Sequence, residues 1–152
     1  MASNNNITFR PSLDIVRAAI RRRIAGIMNL TVPNAQAGVM LDAWVQRNFN
    51  AEGGLVGGWT PFVRGGRRLR GGGFDASAKL LQDTGALRAS FRPFWSARQV
   101  GIGSDIPYSR YHEFGTTRAP ARRMLPSERE IMPQLMRIYD RWTRLQTARR
   151  LW

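Results

Sequence analysis

The chain has no cysteine, a single histidine (His112) and a single lysine (Lys79) among its 152 residues. Without cysteine there is no disulfide framework and no thiolate to act as nucleophile or metal ligand. One histidine, with no His-Glu-x-x-His spacing, leaves zinc chemistry short of ligands. Acid is scarce too: ten Asp and Glu stand against 24 Lys and Arg, a formal net charge of +14. No apolar run approaches the roughly 20 residues that a membrane-spanning helix needs. The N-terminal MASNNNITF shows no charged segment followed by an apolar one. No secretory signal is therefore expected, and the chain reads as a soluble protein made in a cytoplasm.

Arginine is what the chain has instead. With Lys79 the only lysine, nearly all the positive charge sits on guanidinium groups. These suit bidentate contact with carboxylate or phosphate. So much uncompensated charge on a small domain repels itself, which implies an acidic partner, either nucleic acid or the acidic face of another protein. The length fits one domain, residues 1–152, and the 43% hydrophobic content is ordinary for a globular chain.

In chain order, Leu13, Val16, Ile20, Ile24 and Ile27 recur at steps of three and four after Ser12, predicting an amphipathic helix. Arg17 and Arg21 to Arg23 make its other face basic, which is expected to be a solvated face. Thr31 to Asn34 read as a connector, and a second helix follows with Leu41, Trp44, Val45 and Phe49 as core residues. Residues 53–73 are rich in glycine and arginine and lack any acid. They predict a flexible basic arm, pinned at its start by Trp59 and Phe62. This arm lacks the strand-before, helix-after setting and the Lys-Ser/Thr of a phosphate loop, so no nucleotide cofactor is expected. Its Arg64, Arg67, Arg68 and Arg70 are candidate contacts for a polyanion or an acidic surface.

A short helix is expected over Ala76 to Leu81, and a strand over Leu87 to Trp95 with Pro93 marking an edge or bulge. Gln99 to Ser104 is expected to pair with it as a hairpin, with Gly101 and Gly103 leaving one face bare for a neighbouring chain. A last helix starts near Pro126-Ser127-Glu128-Arg129. It carries a narrow seam of Ile131, Leu135, Ile138, Trp142 and Leu145, with Pro133 kinking its early turns. The fold class is α+β: a small antiparallel β-sheet packed against N-terminal helices and a long C-terminal helix.

The densest stretch is YSRYHEFGTTRAPARRM, residues 108–124. Tyr108, Tyr111 and Phe114 fall at i, i+3 and i+6, near one face of a short helix. Tyr108 and Phe114 are expected to be buried, so that Phe114→Ala would act as a cavity mutation. Gly115 then ends the helix at positive φ, and Pro120 holds residues 115–120 in a crossing segment. His112 beside Glu113 invites an acid–base reading. Adjacent helical residues point about a hundred degrees apart, however, so the two cannot readily serve one another. No catalytic residue, metal site or cofactor is expected. Tyr108, His112, Glu113, Arg118, Arg122 and Arg123 are candidate interface residues instead.

Tyr108-Ser109-x-x-His112-Glu113-Phe114-Gly115, then a short loop and Pro120-Ala121-Arg122, resembles the signature of the phage virion-morphogenesis and tail-completion family. Upstream, Leu80-Leu81-Gln82-Asp83-Thr84-Gly85-x-Leu87-x-x-Ser90 and Val100-Gly101-Ile102-Gly103-Ser104 are similar to two further segments of that family. Phe49, Gly58-Trp59 and Pro61 match its entry. The resemblance covers roughly residues 49–126, in order. Arg123-Met124 stands where the family usually has a Pro-Phe pair. What the resemblance implies is a non-enzymatic virion protein of a bacteriophage. It would form a ring of six subunits that caps the tail tube and joins tail to head. Its partners would then be itself, the tail tube protein and the head–tail connector or neck proteins, with packaged DNA passing its arginines. It would sit in the virion neck after assembly in the host bacterial cytoplasm. The alternative from composition is a basic nucleic-acid-binding module built on the first helix and the arm.

Overall fold

The computed structural model describes residues 28–62 and 66–148, together with Asp14, Arg17, Ala18, Arg21, Ile24 and Ala25, which are helical. Ser12, Leu13, Val16, Ile20 and Ile27 of the expected first helix, Arg64, and the C-terminal residues 149–152 lie outside the described residues. The architecture is α+β. Helix α1 (Thr31–Asn50) leads to a 3₁₀ turn at Gly54–Val56 and a hairpin of β1 (Arg67–Arg68) with β2 (Phe74–Asp75). Helix α2 (Ala86–Ser90), strands β3 (Phe91–Trp95) and β4 (Val100–Ser104), helix α3 (Ser109–Phe114) and helix α4 (Glu128–Ala148) follow. Both two-stranded sheets are antiparallel.

Helix α1 is the spine. It begins at Thr31, so residues 31–34 are its first turn and not a connector. The Asn29 side chain accepts hydrogen bonds from the Thr31 amide (3.1 Å) and hydroxyl (2.7 Å). Pro33 falls within the turn whose amides have no helical partner, so its missing N–H costs nothing there. The inner face of α1 buries Ala37, Leu41, Trp44, Val45 and Phe49. The Phe49 ring meets Trp59 edge-on (centroids 5.2 Å apart) and Phe91 at 5.8 Å, and Leu80, Leu87 and Met124 complete the core. Trp59 is buried and Phe62 packs against the core, so the start of the glycine-rich stretch is pinned as expected.

Two local expectations are corrected. Residues 76–81 are not helical: the Asp75 carboxylate accepts from the Ser77 amide (3.0 Å) and hydroxyl (2.7 Å), which holds a turn. Residues 87–90 belong to α2 and not to the strand, which starts at Phe91. Gly85 at φ 74° opens that helix, and the Ser90 hydroxyl donates to the Leu87 carbonyl (2.7 Å) as it closes. Among the described residues of the basic stretch 53–73 are the 3₁₀ turn and strand β1. Arg67 is held there by Asp75 (3.8 Å) and by Asp83.

The β3–β4 hairpin lies across α1, with Trp95 and Pro93 against Gly38. Helix α4 closes the other side. Its seam runs as expected, Ile131, Leu135 and Ile138 being half-buried and Trp142 buried, while Leu145 is exposed. Glu130 caps it by accepting from the Ser127 amide (2.6 Å) and hydroxyl (2.8 Å). One buried side chain ties these layers together. Asn34 donates to the Ser96 carbonyl (2.8 Å) and the Gln99 carbonyl (3.3 Å) at the hairpin turn, and accepts from the Tyr139 hydroxyl of α4 (2.5 Å). Asn34→Leu is expected to cost about 1–3 kcal/mol, because two carbonyls and a hydroxyl lose their partner. Tyr139→Phe should cost less in that background than alone, and thermal melts of the double-mutant cycle measure the coupling.

Candidate functional site

The region from Tyr108 to Met124 is a helix–turn–return unit. The chain leaves β4 through a turn in which the Ser109 amide donates to Ile106 (3.0 Å) and the Tyr111 amide to Tyr108 (3.1 Å), which starts α3. Gly115 ends the helix at φ 75°, as expected. A Cβ there would sit 2.7 Å from the Ala121 nitrogen and 3.2 Å from the Ala119 oxygen, so the return strand approaches closer than any side chain allows. Thr116 and Ala119 then bridge to each other, with the Thr116 hydroxyl accepting from the amides of Arg118 (3.2 Å) and Ala119 (3.0 Å). The chain comes back along α3, and the Arg122 amide donates to the His112 carbonyl (2.6 Å).

Glu113 fastens the return. Its Oε2 accepts from the amides of Met124 (2.6 Å) and Leu125 (3.2 Å). Burial pushes its carboxyl above the ordinary carboxylate range, and those two amides and Arg123 only partly offset this. His112 packs edge-on to Tyr108 (centroids 6.0 Å). Burial, then the nearby Arg122 charge, hold its imidazole below the ordinary value, so the ring is neutral at pH 7. Arg122 Nε donates to the Thr60 carbonyl (3.0 Å), and Arg123 pairs with Glu130 (2.5 Å). His112, Glu113, Arg122 and Arg123 therefore converge on one unit.

The aromatic residues of that unit face the other way. Tyr108 is 45% and Phe114 81% exposed, which corrects the expectation that both are buried. Glu113 is turned to the domain and Tyr111 and Phe114 point outward, while Tyr108 packs against His112, so the stripe does not form a buried face. Phe114→Ala is consequently not a cavity mutation. Phe114 borders a groove of about 240 Å³ whose floor is Phe91, Met124 and Leu125, with Ser104 and Arg110 at its rim. Arg110 lies over the Tyr111 ring, 4.9 Å from its centroid. Arg118 is exposed in the turn of this unit that Thr116 and Ala119 bridge, while Arg68 and Arg70 are exposed and apart from it in sequence. Arg67 lines a separate cavity of about 210 Å³ with Lys79, Asp83, Tyr108 and His112. Among the described residues no cluster of three or more His, Cys, Asp or Glu could hold a metal ion. The signals that sequence reasoning missed are the buried Asn48, which donates to the Arg123 carbonyl (3.1 Å), and the Trp59 indole, which donates to the same oxygen (2.8 Å).

Comparison of the chain with known protein families, with curated proteins and with solved structures finds no match to any of them.

Two outcomes are expected. Gly115→Ala should destabilise by about 2 kcal/mol or more, since positive φ alone costs a side chain about 1–2 kcal/mol before the contact with Ala121 is counted; thermal melting reads it directly. His112 has a lowered pKa when folded, so between that value and the ordinary imidazole value of about 6.5 the unfolded chain binds more protons. Its contribution to stability is therefore present above about pH 6.5 and lost as pH falls through the window below it. Urea unfolding of wild type and His112→Gln at pH 5 and pH 7.5 should show a smaller pH difference in the variant.

Proposed function

We propose that this chain is a structural subunit of a bacteriophage neck, a tail-completion protein that forms a ring of six, caps the tail tube and joins it to the head connector. The ordered run of motifs between Phe49 and Pro126 supports this reading, and the observation that carries it is the outward aromatic face of α3. Phe114 and Tyr111 are held out on a helix that Glu113, Gly115 and the Arg122 amide lock to the domain. A large aromatic kept exposed on a rigid element beside a groove that reaches the core has the anatomy of a binding hot spot, an aromatic anchor next to a pocket. A non-enzymatic role is in keeping with a neutral, packed His112 and a Glu113 whose carboxylate is committed to two backbone amides.

A second reading, a nucleic-acid-binding module, has one observation in its favour. Arg137, Arg141 and Arg144 lie at i, i+4 and i+7 on α4, all exposed, with only Asp140 paired to Arg144 among them (2.9 Å). Such a stripe also suits a ring lumen through which DNA passes.

Phe114→Ala should leave the melting temperature near that of wild type, within about 0.5 kcal/mol of stability, while weakening assembly onto tail tubes. Class-averaged electron micrographs of purified protein with its cognate tail tubes, wild type against variant, read the second effect. Six-fold caps absent with wild type would remove the ring reading. Monomeric DNA binding that falls steeply with salt would put the second reading in its place.

A further inference from the structure

The β3–β4 hairpin has two edges, and they are not equivalent. The Ser96 amide donates to the Gln99 carbonyl (2.8 Å) at the turn. With the register Trp95↔Val100, Phe94↔Gly101, Pro93↔Ile102, Arg92↔Gly103 and Phe91↔Ser104, bonded and non-bonded pairs then alternate along the ladder. Pro93 and Ile102 form a non-bonded pair, so the position of the missing proline N–H is on the outer edge of β3, where it blocks further pairing. On β4 the same alternation turns the N–H and C=O groups of Val100, Ile102 and Ser104 outward. None of these backbone groups has a partner among the described residues. The exposed face of the strand carries no side chain at Gly101 or Gly103; the tip of the Phe94 ring reaches over Gly101, and a Cβ at Gly103 would meet nothing within 4 Å.

This edge is also uncharged in a chain of net charge +14, and its two ends are of opposite sign. Arg98 precedes it and Asp105 follows it, both exposed and neither in an ion pair among the described residues. A strand that is neutral in the middle, positive at its start and negative at its end is complementary to itself when reversed.

We propose that the β4 edge is a self-recognition surface: a second copy of this chain adds its own β4 antiparallel across a two-fold axis at Ile102, making one continuous four-stranded sheet. In this register Val100 faces Ser104 of the partner subunit, Ile102 faces Ile102 of the partner subunit, and every outward backbone group finds a partner in about six new hydrogen bonds. The Arg98 end of each strand lies beside the Asp105 end of the other. Interfaces of this isologous kind close on themselves and so stop at two copies. The inference is independent of the ring reading, because it concerns the free chain and uses neither Phe114 nor the arginine stripe.

The absence of native cysteine makes the register directly testable. At the axis the two Cα atoms of residue 102 are about 5.5 Å apart, within disulfide range, whereas two copies of residue 100 are roughly 14 Å apart. Purified full-length Ile102→Cys should cross-link to a dimer under mild oxidation, and Val100→Cys at least about tenfold more slowly. Because Ile102 packs partly against the core, exposed positions supply a second arm. Asp105→Arg and Arg98→Asp should each raise the dimer dissociation constant about tenfold in sedimentation equilibrium, and the double exchange should restore it. A monomer at all accessible concentrations, equal cross-linking at both positions, or a dimer indifferent to the charge changes would overturn the proposal.

Discussion

Two buried asparagines on one helix set where everything else goes. Asn34 and Asn48 lie fourteen residues apart on α1, which brings them back near the same face after almost four turns. Asn34 holds the β3–β4 turn and receives Tyr139 of α4. Asn48 holds the carbonyls of Arg123 and Met124 at the end of the return from α3 (3.1 and 3.4 Å). Apolar burial around Phe49 supplies the driving force, but it is non-directional. The amides decide the register in which the hairpin, the return segment and α4 settle on the spine, because a misplaced buried amide costs far more than a made one contributes. Position at the candidate site is inherited from here: Arg123 and Met124 are fixed by Asn48 and Trp59 on one side and Glu113 on the other.

The charge divides into two populations. Some arginines are structural: Arg88 donates to Gln46 (2.6 Å), Arg122 to Thr60, Arg123 to Glu130, and Arg67 pairs with Asp75 and Asp83. Their long stems cross between elements that share little apolar contact, as in the loops flanking α3. Others, including Arg92, Arg98, Arg118, Arg137 and Arg141, are exposed and without an ion pair among the described residues. Exposed pairs would stabilise the fold little in any case. The unpaired group therefore contributes little to folding.

Much of the fold was legible because its signals were periodic or stereochemical. The core role of Trp44 and Phe49, the β3–β4 hairpin, the α4 seam and the positive φ of Gly115 all follow from spacing or from glycine chemistry. What misled was context that periodicity does not carry. Pro33 looked like a break but sits in the one turn of α1 that tolerates it. The aromatic stripe of α3 was found, yet its phase was not, since a helix of six residues has no long seam and its direction is set by Glu113 reaching the distant amides of Met124 and Leu125. The roles of Asn34 and Asn48 left no mark in the sequence at all, because a buried amide is recognisable only once its partners, 62 and 75 residues away, are in place.

The opposing demands on the surface give association a definite sign with salt. Copies that each carry +14 repel at long range, so contact between them has to come from short-range, neutral groups such as the β4 edge and the α3 aromatics. Screening shortens that repulsion and favours self-association as ionic strength rises. The ends of β4 pull weakly the other way, as Arg98 and Asp105 are exposed and their attraction is screened too. A phosphate backbone, by contrast, would be held by unpaired arginines themselves and would be released as salt increases, through loss of the counterion gain. Contact with other copies and contact with a polyanion would therefore respond to salt in opposite directions, so the sign of a salt dependence tells one kind of association from the other.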